Sequence, residues 1–343
     1  EIRALLSIDA KEIEPSALMT AILKAPVQLL WFGGIGTYIK DRSEGHLDVG
    51  DPGNDAIRVN GADVQAKVIG EGANLGVTQA GRIGYALRGG RINTDFIDNS
   101  AGVDCSDNEV NIKIALNAQM RAGKLKEPAR NVLLADMTDA VAHLVLEDNR
   151  LQTLALSIAE TGGAGDLPAY VRLIEIFEGS GKLDRAVEGL APNEELFRRA
   201  SEGRGLTRPE LAVLLSTAKL AAQDGVEDAP LAQDASMDSE LLAAFPEAMV
   251  KAHKSAILSH RLRKEIIATK LANRMINRLG MLHPFELAEE EGCGLGDVAA
   301  AFAIAERIYD LLALWQAIDT TPMPEATRLM LFNQAAVEIR AQM

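Results

Sequence analysis

The chain has 343 residues, 48 % of them apolar and 4 % aromatic, and carries a net charge of −14. That length suits two or three domains, while the acidic balance disfavours nucleic acid as a partner and the low aromatic content disfavours stacking platforms for single strands. No run of about 18 apolar residues occurs, so no membrane span is expected.

In chain order, the first residue is Glu1 rather than Met. The sequence is therefore expected to start inside a longer chain or after processing. Strands are predicted at residues 28–32, 66–69 and 91–97. Each is followed at once by small or polar residues. Between the second and third, residues 78–87 predict a helix closed by Gly89-Gly90. A strand–helix–strand order implies a parallel sheet with a right-handed crossover. Residues 41–63 are polar and glycine-bearing, and read as a surface loop.

Past about residue 110 helical periodicity takes over. Ile304, Ile308, Leu311, Leu312 and Trp315 are spaced as one buried stripe, and Leu258, Leu262 and Ile266 as another. Breaks are expected at 162–168, 224–238 and 292–296. No internal repeat is seen. The fold class expected is α/β plus all-α, with a parallel sheet first and a helical domain after it.

Ligands of open α/β sheets sit beyond the carboxyl ends of the strands. Those ends carry Gly33-Gly34-Ile35-Gly36-Thr37, Glu71-Gly72-Ala73-Asn74 and Asn99-Ser100-Ala101-Gly102. Glycine admits a close ligand because no Cβ intrudes, and asparagine offers both donors and an acceptor. Ordinary tight turns are the other reading of any one loop. Ile39 stands where a third glycine would complete a dinucleotide fingerprint, so that turn is missing. Ser106-Asp107-Asn108-Glu109 reads as a capping box opening a helix at residue 110. That start either caps only or also presents donors to a substrate carboxylate.

Residues 251–278 hold eight Lys or Arg against one Glu, which reads as a solvated face or an acidic-partner surface rather than a nucleic-acid site. Cys105 and Cys293 are too few for a disulfide framework and suit a reducing cytoplasm. Five scattered histidines add no zinc-ligand spacing, and no metal site is expected.

The stretch KVIGEGANLGVTQ at residues 67–79 resembles the E-G-A-N-x-x-x-T loop of glutamate dehydrogenases. NSAGVDCSDNE at residues 99–109 resembles their N-A-G-G-V-x-x-S-x-x-E segment. LLWFGGIGTY at 29–38 and NTDFIDNSAGVDCSDNE at 93–109 resemble the large bacterial NAD-specific class most. The likeness is strongest over residues 28–117 and looser through RLGMLHPF at 278–285.

The resemblance implies residues 1–115 as the C-terminal half of a Rossmann-like NAD-binding domain and residues 116–343 as a helical C-terminal domain. It implies NAD as cofactor and L-glutamate and 2-oxoglutarate as substrate and product. Asn74 would contact the nicotinamide ribose, and Asn99 would sit near the carboxamide. Gly34 and Ile35 would pass near the cofactor's ribose. Val103 and Ser106 would line the substrate pocket, with Ser106 on the side-chain carboxylate. The family's catalytic lysine and aspartate belong upstream, so no catalytic residue is assigned here. The fragment alone is expected to be inactive. Its partners would be the upstream domains of a parent chain and further copies in a homo-oligomer, with neither nucleic acid nor membrane. A helical regulatory module, or a dehydrogenase for another amino acid, stands as the alternative.

Overall fold

The computed structural model describes residues 2–6, 8, 10 and 12–343. Glu1, the expected internal start, lies outside them. The chain divides into two compact units, residues 1–100 with 184–213 and residues 101–183 with 214–343.

The first unit holds five short strands: β1 (Leu29–Phe32), β2 (Ile39–Lys40), β3 (Val59–Asn60), β4 (Val68–Glu71) and β5 (Arg91–Ile92). β1, β4 and β5 form one sheet in that order, all parallel, and β2 and β3 pair separately. Register sets Phe32 beside Glu71 and Ile69 beside Ile92. Side chains alternate along a strand. Phe32, Ile69 and Ile92 therefore join Leu23, Ile39, Val59, Val77 and Tyr85 in one core. Each large apolar side chain buried there contributes about 1.5–3 kcal/mol. On the other face, Leu29 and Trp31 are exposed.

Helix α1 (Gln79–Leu87) links β4 to β5, as the sequence predicts. Thr78 caps it, its Oγ1 accepting from the Gly81 amide at 3.0 Å, and Tyr85 ties it to the core by donating to the Ala66 carbonyl at 2.5 Å.

Three expectations for this part need correction. The strand predicted at 91–97 is only Arg91–Ile92, and Asp95–Asp98 is a short helix, α2. The Asp95 carboxylate accepts from the Phe96 amide at 3.0 Å, and Asn99 N closes onto Asp95 O at 2.8 Å. Those bonds fold the chain back on itself before a longer strand can form. The region 41–63 is more than a surface loop. It contains β3, the helical turn His46–Val49, and a fully buried Arg58 side chain. Arg58 donates to Thr37 O at 2.9 Å and to Asp55 Oδ1 at 2.5 Å, so one guanidinium organises the segment from within.

The capping box at 106–109 does not cap. Helix α3 runs Ser100–Arg121, leaving Ser106 inside it. The chain leaves α2 through Asn99 at φ −98° and ψ 9°, close enough to helical for α3 to begin well before Ser106.

The second unit is helical, and includes most of α3, α4 (Thr138–Glu160), α5 (Arg263–Leu279), α6 (Leu295–Ile308), α7 (Leu311–Thr320) and α8 (Glu325–Arg340). Both predicted helical stripes break. Asp310 adopts a left-handed φ of 49° between α6 and α7, which resets the phase. Leu311 and Trp315 are buried, while Ile304, Ile308 and Leu312 are exposed. Leu258 ends one helix, and α5 starts at Arg263. His260 makes that turn, its Nδ1 accepting from Leu262 N at 3.1 Å and its Nε2 lying 3.1 Å from Asn111 O. Those partners fix a neutral ring protonated on Nε2, and burial lowers its pKa accordingly. The predicted breaks at 162–168 and 292–296 each hold a gap between helices, although the next helices already begin at Leu167 and Leu295. Within the predicted break at 224–238, the preceding helix runs on to Asp228 before short 3-10 turns follow.

Candidate functional site

The β1, β4 and α2 ends of the first unit carry three loops. After β1, Gly34 and Ile35 are exposed, and no atom lies within 4 Å of where a Gly34 Cβ would stand. The loop then returns to the core. Tyr38 stacks on Phe32 with centroids 5.6 Å apart, and Tyr38 N bonds Gly76 O at 2.9 Å. That bond ties the first loop to the second.

The second loop follows β4. Asn74 is exposed, and Leu75 after it has φ of 63°. The third is the single residue Asn99, the turn between α2 and α3. Asn99 Nδ2 donates to Asn74 Oδ1 at 3.0 Å. The two carboxamides thus meet although 25 residues separate them. The pair leaves a donor group on Asn74 and an acceptor on Asn99, which fits a partner offering both, such as a primary carboxamide or a ribose hydroxyl.

Beneath these amides lies a cluster of charges that the sequence reading did not single out. Glu71 is fully buried. Arg82 Nε and Nη2 reach its two oxygens at 2.7 and 2.9 Å, and Arg82 Nη2 also reaches Asp95 Oδ1 at 3.0 Å. Burial works against the guanidinium, but its carboxylate partners hold its pKa above the usual value. A glutamate two residues before an alanine in a glycine-rich loop gives no sign of its burial. Arg82, eleven residues on, would have been legible only as an arginine on the inner face of α1.

In the second unit, Val103 and Ser106 are exposed on α3. The two side chains lie on neighbouring turns, three residues apart on one helix face. Glu109 on this helix pairs with Lys113. Asp104 is turned inward. Its Oδ1 accepts from Asn108 at 3.0 Å, and among the described residues its buried Oδ2 meets no donor. Burial, with the nearby Asp148 carboxylate, pushes Asp104 up to about 6 against the pull of Lys270. Lys270 bonds Asp148 at 2.6 Å, and Lys219 bonds Gln152 at 2.8 Å. Burial pushes Lys219 down to about 8. Cys105 is exposed. Among the described residues no group of three His, Cys, Asp or Glu could hold a metal ion, and no helix is long and apolar enough to cross a membrane.

A parallel α/β unit with amide-bearing loops beyond its sheet, in one chain with a helical unit, makes this a mixed α/β and all-α protein. Residues 1–159 match the family described as bacterial NAD-glutamate dehydrogenase, catalytic domain, and residues 203–340 match glutamate dehydrogenase, C-terminal. The chain is 46 % identical over 311 residues to the NAD-specific glutamate dehydrogenase of Pseudomonas aeruginosa, covering 91 % of this chain and 19 % of that protein. It is 42 % identical over 332 residues to that of Mycobacterium tuberculosis, covering 95 % and 20 %. Against that of Halomonas elongata it is 40 % identical over 319 residues, covering 93 % and 20 %. The chain belongs to the bacterial NAD-specific glutamate dehydrogenases, as a portion that includes their C-terminal domain. It spans about a fifth of the length of these curated relatives.

Proposed function

We propose that the chain is part of an enzyme that oxidatively deaminates L-glutamate to 2-oxoglutarate and ammonia with NAD. Family membership supports this reading, and the Asn99–Asn74 carboxamide pair carries it to particular atoms. The finer fold assignment belongs to the same proposal: residues 1–115 as the C-terminal half of a Rossmann-like NAD-binding domain, and residues 116–343 as a helical C-terminal domain.

In this reading NAD, when bound, accepts the hydride from the glutamate Cα. The chain's own residues bind and orient. Asn74 holds a hydroxyl of the nicotinamide ribose, and Asn99 lies beside the carboxamide. Gly34 and Ile35 present bare backbone to the cofactor's ribose. Val103 meets the aliphatic part of the substrate side chain, and Ser106 donates to its distal carboxylate. A hydroxyl at that position favours a substrate with a second carboxylate, since an apolar side chain would leave it unpaired. Hydrolysis of the imine needs acid–base help. The lysine and aspartate for it, and the phosphate-binding turn, would come from sequence outside this chain. On its own the fragment is then inactive. The parent would work in the cytoplasm as a homo-oligomer.

Substitution in the full-length parent tests the reading. Asn74→Ala is expected to raise KM for NAD, and Ser106→Ala to raise KM for glutamate. Unchanged turnover and unchanged KM values in both variants would remove the assignment of these residues.

A further inference from the structure

We propose that Glu71, Arg82 and Asp95 are positioning residues, a buried charge frame that sets the Asn74 loop in its cofactor-binding conformation. The inference rests on the reading of Asn74 as a cofactor contact.

Leu75 is one of two non-glycine residues among those described with a positive φ, at 63°. A left-handed leucine crowds its own Cβ and persists only where its surroundings hold it. Its amide is held by Asp95 Oδ2 at 2.9 Å. Two residues on, the Val77 amide is held by Glu71 Oε1 at 3.0 Å. Arg82 joins the two carboxylates, two bonds to Glu71 and one contact of 3.0 Å to Asp95. One guanidinium therefore fixes the spacing of two acceptors, and each acceptor grips one amide of the loop.

The same frame reaches Asn99. Asp98 Oδ2 accepts from the Glu71 amide at 2.9 Å. Asp95 and Asp98 both lie on α2, and Asn99 is its C-cap. A rigid helical turn thus carries two of the loop's anchors and, next in sequence, the partner of Asn74. The space is also closed. A Cβ at Gly76 would stand 3.1 Å from the Phe32 ring and 3.3 Å from Glu71 Oε1. Buried charge is a poor source of stability compared with apolar packing, and its best-attested return is conformational specificity. Here that specificity falls on the loop bearing Asn74.

The test uses the full-length parent enzyme and steady-state kinetics in both substrates. Asp95→Ala frees the Leu75 amide and is expected to raise KM for NAD about ten-fold, the scale of one lost charge-assisted hydrogen bond, with KM for glutamate unchanged. Asp95→Asn keeps an oxygen for that amide but loses the charge that faces Arg82, and is expected to raise KM for NAD by less than Asp95→Ala does. Leu75→Gly removes the strain, so in the Asp95→Ala background it is expected to restore most of the NAD affinity. A general loss of packing would not be repaired by taking away a second side chain that is itself exposed. Should Asp95→Ala fail to fold, Asp95→Ser replaces it in the same comparison. A folded Asp95→Ala or Asp95→Ser enzyme with the parent KM for NAD overturns the proposal, as does the absence of rescue by Leu75→Gly. Asn74→Ala run alongside separates the two claims. If it raises KM for NAD and the position-95 variants do not, the charge frame is wrong and the cofactor contact stands. If it has no effect, the cofactor reading itself fails.

Discussion

Asn99 donates its side-chain amide to the Asn74 carbonyl oxygen across 3.0 Å, joining the loop after β4 to the end of α2. One bond thereby connects two segments that each resemble glutamate dehydrogenases. It predicts that Asn99→Ala acts partly through Asn74. In the parent enzyme, KM for NAD should rise by about five- to ten-fold, since one hydrogen bond is worth about 1 kcal/mol. The double variant with Asn74→Ala should be less than multiplicative, because the two share one interaction.

Asp104 gives a pH dependence of stability. Burial and the Asp148 carboxylate raise its pKa from 3.8 to about 6. The folded state therefore binds its proton more tightly than the unfolded state. Its stabilising contribution is complete below about pH 4 and is lost as pH rises through about 6. Asp104→Asn keeps an oxygen for Asn108 and offers Asp148 a donor. Thermal unfolding at pH 7 should show it more stable than the parent sequence, by about 1 kcal/mol once solvent screening of this partly exposed group is allowed for. The difference should vanish near pH 4.

Lys219 has the opposite signature. Burial lowers its pKa from 10.5 to about 8. The folded state binds this proton less tightly, so the group costs stability below about pH 8 and the cost is relieved as pH rises from there toward 10.5. Lys219→Met is expected to raise the unfolding midpoint at pH 7 and to flatten its rise between pH 8 and 10. A variant that tracks the parent at every pH would contradict the assignment.

Thr78 serves α1 twice. Its Oγ1 accepts from Gly81 N at 3.0 Å and donates to Glu44 Oε2 at 2.6 Å. Thr78→Ala should destabilise the first unit by about 1 kcal/mol, the usual cost of losing an N-cap. Thr78→Ser should recover most of it, as read by denaturant unfolding.

Much of the first unit was legible because its signals are local. Strands ending in glycine loops, and a helical run closed by Gly89-Gly90, placed β1, β4 and α1 to within about two residues, the usual scatter at element ends. The misreadings arose where a distant partner decides. Asp95 looks like a strand residue until Arg82 and the Leu75 amide are seen to engage it. Ser106 and Glu109 satisfy the capping pattern, but α2 has already turned the chain toward α3. Residues 184–213 pack with the first unit. There Arg208 donates to Asn93 at 2.5 Å and Gln79 to Pro209 O at 3.3 Å, pairs that no sequence spacing announces. The candidate site divides the same way. Asn74 and Asn99 could be named from motifs, whereas the Glu71–Arg82–Asp95 frame beneath them needed the fold.

The Asn74 contact is the centre of the proposed function. Calorimetric titration of NAD into the full-length parent and into its Asn74→Ala variant measures the contact without turnover. Affinity is expected to weaken about ten-fold, the scale of a hydrogen bond lost with its partner left unpaired, with the unfolding midpoint of the variant unchanged. Equal affinity for NAD in a folded Asn74→Ala enzyme would contradict it.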